Sequence, residues 1–416
     1  MFDKLHAEYP LLYGRNYDEK DMDERFSSLV KKHEELFNRT DIMIFSAAGR
    51  SEIAGNHTDH NLGLVIGATI NLDTIACVSK RDDERVIIAS EGFPVVDVDI
   101  SDLEVKEEEK NTTHALIRGI ARAFKDRGYK VSGYQANTTT RVLKGSGLSS
   151  SAAIEVLAAE IFNNLYASDS LSPVEIAKIG QYAENVYFGK PSGLLDQMSC
   201  AHGGIVGIDF KDPKNPVVTP LEIDFEEHGY AMIITDTKGN HADLTHEYAA
   251  VPPEMRMVAA YFGKNNLREV SYSDFISNIA DIRKKVGNDR AILRAYHFFK
   301  ENERVSMMLK ELKEEAIDTF LMLVEESGNS SYKYLQNVYP SSAPEDQGLS
   351  IALAMSEDIL DGDGASRVHG GGFAGTIQAY VPLYLVDKYV ERMESIFGKG
   401  CSTRIEIRKK PVSRIF

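Results

Sequence analysis

KGSGLSSSAAIEVLAAEIFNNLY, residues 144–166, runs from a glycine-serine loop into an apolar segment of helical period. Ile154, Leu157, Ala158, Ile161, Phe162 and Leu165 follow the spacing i, i+3, i+4, i+7, i+8, i+11, which predicts a helix with one buried stripe. Gly145 and Gly147 reach backbone angles closed to other residues, and Ser149, Ser150 and Ser151 are placed to cap the first turn. Several N–H groups then point outward at the positive end of the helix, where phosphate binds. A serine-capped helix after a glycine turn is the plainer reading, and three serines in succession argue against it. No G-x-x-x-x-G-K-[ST] occurs, so a nucleotide here is held by something other than a Walker A loop.

The chain around this segment has 416 residues, longer than a single core usually grows, and two domains with a cleft between them are expected. Hydrophobic residues make up 43% and charged residues 26%, as in a folded globular protein. The net charge of −16 repels a phosphodiester backbone, so nucleic acid is not an expected partner. Cys77, Cys200 and Cys401 are widely spaced, which offers neither a disulfide framework nor a zinc site and points to a reducing compartment. No apolar run reaches the length of a signal peptide or a membrane span, and a cytoplasmic location is expected.

Residues 21–39 read as a covering helix, with Phe26, Leu29, Val30, His33 and Phe37 near helical spacing. IMIFSA, LVIGATI, TIACVSK and RVIIAS read as strands of one sheet, and SEIAGNHTDHN, 51–61, falls between strands on that reading. VDVDISDLEVKEEEK, 96–110, is an edge strand and solvated loop, and THALIRGIARAFKDRGY is a helix ending at Gly128. KDPKNP after residue 210 marks a turn or linker, YAMIITDT a buried strand, and the last half is mostly amphipathic helix. HGGGFAG, 369–375, lets backbone approach backbone or ligand closely.

In this order the segments resemble the galactokinase branch of the GHMP small-molecule kinases. AAGRSEIAGNHTDHNLGLVIGATIN resembles the family's sugar signature, KGSGLSSSAAIEVL its phosphate loop and HGGGFAGT its third motif. AENVYFGKPSGLLDQM resembles A-E-x-x-x-x-G-x-x-x-G-x-x-D-Q, while RAYHFFKENERV and PEDQ also match family segments. The resemblance implies an α+β, two-lobed fold. A mixed sheet with helices occupies residues 1–210, a helix-rich domain residues 211–416, and the active site lies in the cleft between.

It further implies ATP and Mg²⁺ as cofactors and phosphorylation of galactose at C1, in a monomer or weak homodimer. Asp196 would take the proton of the anomeric hydroxyl and Arg50 would stabilise charge in the transfer. Ser150 and Glu184 would hold the metal, and Gly145, Ser146, Gly147, Leu148, Ser149, Ser150 and Ser151 the triphosphate. His57, Asp59 and Tyr248 would meet the sugar. The signature usually reads G-R-x-N-x-x-G-E-H-T-D-Y-N, but here Glu52 and Asn56 have exchanged places, and His60 replaces tyrosine as an expected packing residue. If Glu52 faces the sugar, galactose is expected, and if it turns away, galacturonate or another galacto-configured sugar. A non-catalytic regulator responsive to galactose and ATP is the reading from a different class.

Overall fold

The computed structural model describes residues 1–142, 147–190, 192–239 and 244–416. The predicted phosphate-loop residues Gly145 and Ser146 lie outside these residues.

Strand β1 (Met43–Ala54) pairs antiparallel with β2 (Leu64–Lys80), a single strand that takes in both LVIGATI and TIACVSK. The Asn71–Asp73 stretch therefore does not break the sheet, because Asp73 is buried and paired with Arg25 at 2.6 Å. The first half of β2 pairs with β6 (Ile205–Asp209) and the second half with β5 (Tyr134–Thr140). Beyond β5 come β3 (Arg85–Ser90), in parallel, and β4 (Val96–Asp99), the expected edge. β7 (Val217–Leu221) pairs with β6, so KDPKNP closes a hairpin of the same sheet. A second sheet among the described residues has the order β11-β8-β10-β9. Its strands are β8 (Tyr230–Asp236), β9 (Ala365–Val368), β10 (Thr376–Pro382) and β11 (Ser402–Ile405).

Helices α1 (Phe2–Tyr13) and α2 (Glu19–Phe37) cover one end of the large sheet, where Tyr9, Phe26 and Leu29 pack on Ile44, Ile75 and Cys77. The sequence reading found α2 and missed α1, whose interior Pro10 and mixed face hide the period. Helices α3 (Thr113–Asp126), α4 (Ser150–Ala167), α5 (Pro173–Tyr182) and α6 (Leu195–His202) share the main core with this sheet. α4 lies against α3, α5, α6, β1 and β2, so it is buried nearly all round rather than along one stripe. Its alanines permit that close packing. A further core takes Ile53, Ile66 and Ile70 from β1 and β2 together with Met232, Ile234, Tyr380 and Phe320, and so joins the two sheets.

Candidate active site

β1 is not a regular strand where the site begins. Its register against β2 slips between Ala48 and Arg50 and again between Glu52 and Ala54, and such bulges re-aim side chains. Arg50 and Glu52 stand two apart on this strand, so SEIA belongs to β1 and only the residues after it form a turn.

Arg50 reaches the start of α6, where its Nε donates to Asp196 Oδ1 at 2.7 Å. Its Nη1 donates to the Gly147 carbonyl, and its backbone N–H donates to Leu148 O at 3.1 Å. The guanidinium therefore ties the described end of the glycine-serine loop to the carboxylate of α6. Ser149 holds a left-handed conformation before α4 (φ 57°) and donates its hydroxyl to Asp196 Oδ2 instead of capping the helix. This corrects the expected serine cap: the carboxylate is the stronger acceptor and has taken the hydroxyl.

Of the Asp196 side chain, 38% is open to the cleft. Burial opposes its ionisation, but the Arg50 charge and the hydrogen bonds from Arg50 and Ser149 outweigh it and hold the carboxyl below the usual range. Asp196 is thus an anion at neutral pH.

Asp196, Arg50, Glu52, Asn56, His57, Asp59 and His60 line one hollow of about 270 Å³ together with Lys190, Ser192, Gly193 and Gly370–Gly371. Among these, Glu52 accepts from Arg367 Nη2 and Asn56 Nδ2, each at 2.9 Å, so the two exchanged residues hydrogen-bond each other. Asn56 is fully buried, and it also donates to Gly370 O at 2.6 Å and accepts from Asn337 Nδ2 at 2.7 Å. An amide suits position 56 because Gly370 O needs a donor that a carboxylate lacks.

His57 (φ 58°) donates Nε2–H to Gly371 O at 2.9 Å, and burial with the neighbouring His60 pushes it down to about 4, so it is neutral. Asp59 accepts from the His60 backbone at 2.9 Å and lies against Gly193, where an added Cβ would come within 2.1 Å of Oδ2. Tyr248 donates to Gly372 O at 2.8 Å and meets Phe373 edge to face, and burial pushes its hydroxyl up to about 12. Tyr248 thus supports the glycine turn. That turn needs glycine, since a Cβ on Gly372 (φ 81°) would meet Asn337 O at 2.1 Å.

Residues 31–80 match the galactokinase galactose-binding signature, and residues 115–204 match the GHMP kinases N terminal domain. The galactokinase of Streptomyces coelicolor is 28% identical over 375 residues, 88% of this chain and 92% of that protein. That of Mannheimia succiniciproducens is 29% identical over 386 residues, 92% and 95% of the two. Among solved structures, Lactococcus lactis galactokinase complexed with galactose superposes with a TM-score of 0.80 at 24% identity, over 94% of this chain and 100% of that one. Methanococcus jannaschii mevalonate kinase gives 0.63 at 14% identity, over 89% and 99%.

The chain is similar to GHMP kinases of the galactokinase type over most of its length.

In this chain Glu184 sits in the π-helical turn Ala183–Phe188, nearly buried. Its Oε1 lies 3.0 Å from Lys190 Nζ, and its Oε2 accepts from Ser192 Oγ and from Gln197 Nε2 at 2.8 Å. Gln197 also donates to Glu155 Oε2 at 2.9 Å, while Glu155 Oε1 is buried without a partner among the described residues. Burial and the Glu184 charge push the Glu155 carboxyl well above its usual range. Ser150 opens α4, and Glu155 lies on the same helix about one and a half turns further on. A hydroxyl, a carboxylate and an orphaned carboxyl oxygen are hard donors of the kind magnesium takes. Among the described residues no group of three or more His, Cys, Asp or Glu side chains is arranged to hold a metal alone, so phosphate oxygens and waters would complete the shell.

The sequence reading missed several residues that shape the site. Arg367 and Asn337 hold the turns, and His369 binds Ser51 Oγ at 3.0 Å and Thr376 Oγ1 at 3.0 Å. RAYHFFKENERV matched the family without a role. His297 now proves to donate to Asn56 O at 2.9 Å, and Glu301 accepts from Gly55 N at 3.1 Å, so this helix anchors the sugar-signature turn from behind. Only the exposed Lys190 carried a legible signal, a cation in the middle of the acidic motif.

Proposed function

We propose that this chain transfers the γ-phosphoryl group of ATP to the C1 hydroxyl of galactose. The supporting observation is the Arg50–Asp196–Ser149 junction. A carboxylate open to the cleft is fixed at 2.7 Å from a guanidinium and touches the start of a helix, facing residues of the galactose-binding signature. An oxygen nucleophile held by Asp196 would lie beside the phosphate end of the cleft.

Asp196, depressed by Arg50, is a weak base, so it orients the hydroxyl and receives its proton late, as suits a loose transition state. Arg50 neutralises charge on the transferring group, and the amides from Gly147 to Ser151 face the phosphates. Ser150 and Glu184 would hold magnesium, which when bound neutralises phosphate charge as a Lewis acid. On the sugar side, Asp59 and Glu52 Oε2 accept hydrogen bonds from galactose hydroxyls, while neutral His57 presents one face to the ring. Tyr248 and Asn56 act one layer behind, by fixing the glycine turn and Glu52. The cleft lies between two lobes whose boundary we place after β7 rather than at residue 210, since the β6–β7 hairpin belongs to the large sheet.

The test is a coupled ADP-release assay across a panel of sugars. Turnover on galactose with MgATP, lost in Asp196→Asn while galactose still binds, is the expected result. Galactose and ATP binding without turnover on any sugar would replace this reading with a ligand-responsive regulator.

A further inference from the structure

Lys190 belongs to neither the phosphate loop nor the sugar signature, yet it lines the same hollow as Arg50 and Asp196. Gly189 (φ 88°) turns the chain sharply after the Ala183–Phe188 turn. The backbone N–H groups of Gly189 and Lys190 both donate to Glu184 O, at 3.0 and 3.2 Å. The base of the side chain is therefore fixed, while the side chain is 58% exposed and its one polar contact among the described residues is Glu184 Oε1 at 3.0 Å. The ammonium lies on the open side of a buried carboxylate, and on four methylenes it can reach past that carboxylate into the hollow.

Glu184 does not depend on that contact, since Ser192 and Gln197 already donate to its other oxygen. Arg50, by contrast, has Nε committed to Asp196 and Nη1 committed to Gly147 O. Among the described residues lining the hollow, Arg50 and Lys190 are the permanent cations. A triphosphate entering the cleft brings its terminal group, and most of its charge, between them. The motif A-E-x-x-x-x-G-x-x-x-G-x-x-D-Q leaves the Lys190 position open, so the motif itself does not assign this cation a role.

We infer that Lys190 is a further phosphate-binding residue of this site, resting on Glu184 until the nucleotide arrives and then turning to the terminal phosphate, so that it distinguishes a triphosphate from a diphosphate. The inference rests on the proposed kinase reading and adds to it a residue that reads the γ position.

The test is equilibrium binding of ADP and of the non-hydrolysable adenylyl imidodiphosphate, each with magnesium, to the full chain by titration calorimetry. In Lys190→Met, affinity for the triphosphate analogue should fall about tenfold while that for ADP changes less than about twofold, the scale of one charge-assisted contact. Lys190→Arg, which keeps the charge, should stay within about threefold of the parent on both ligands, and both variants should melt with the parent. Equal weakening of both nucleotides, or no change in either, would overturn the inference and leave the kinase reading intact. A parent chain that binds neither nucleotide would overturn both.

Discussion

Two guanidinium–carboxylate pairs start from β1 only two residues apart, and they have opposite characters. Arg50 meets Asp196 at 2.7 Å with 38% of the acid open to the cleft, whereas Glu52 meets Arg367 at 2.9 Å with the acid 8% and the base 0% exposed. Asp196 is held below its usual range, but burial pushes Glu52 above its own in spite of Arg367, Arg50 and Asn56. The open pair keeps an anion ready for a substrate hydroxyl, while the nearly sealed pair uses Glu52 Oε1 to hold two turns together and leaves Oε2 to the hollow. One strand thus supplies both a reacting group and its scaffold, and accessibility decides which is which.

The comparison breaks first at the open pair. Asp196→Asn should lower turnover by about a thousandfold or more, within the range for loss of a proton acceptor, while the melting temperature barely moves. Steady-state kinetics with a thermal melt separates the two effects. At the sealed pair the order should reverse. Arg367→Met strands a buried carboxylate and should cost about 3–5 kcal/mol in urea unfolding, with the folded fraction keeping its kcat and losing only galactose affinity as Glu52 loses its support. Asp196→Asn and Arg367→Met behaving alike would erase the distinction.

Ser149→Ala sharpens the open side. Removing one donor from Asp196 should reduce kcat about fivefold to tenfold and leave galactose affinity nearly unchanged.

The smallest effect concerns a buried acid with no guanidinium. Glu160 in α4 is hydrogen-bonded among the described residues by Asn163 alone and is pushed by burial from 4.5 to about 7. Its folded value is raised, so its contribution is full below about 4.5 and is lost as pH rises through about 7. Glu160→Gln should therefore stabilise the chain by about 1–2 kcal/mol near pH 8 and hardly at all near pH 5, as read by denaturant titration at both values.

Much of this was legible in the chain. The α4 period, the edge at Val96–Asp99 and the stop at Gly128 are local signals, and they were found at the expected places. The acid at Asp196 and the base at Arg50 were readable only as motif members, since 146 residues separate them and no local rule relates them. The Glu52 and Asn56 exchange could be seen, but its meaning could not, because the partners that settle it are Arg367, Asn337 and Gly370 from a distant segment. Ser149 misled because a serine at a helix start ordinarily caps it, and here a tertiary carboxylate outcompetes the local amide.

The core that runs from Ile53 and Ile66 of the first sheet to Met232 and Tyr380 of the second lies behind the site. The two sheets therefore share a packed core, which resists their separation. The rim of the hollow, by contrast, carries Lys190 and Ser192, which are more open to solvent. If release limits the rate, stiffening that rim will slow the enzyme, whereas strengthening the contact between the sheets will only make it harder to unfold.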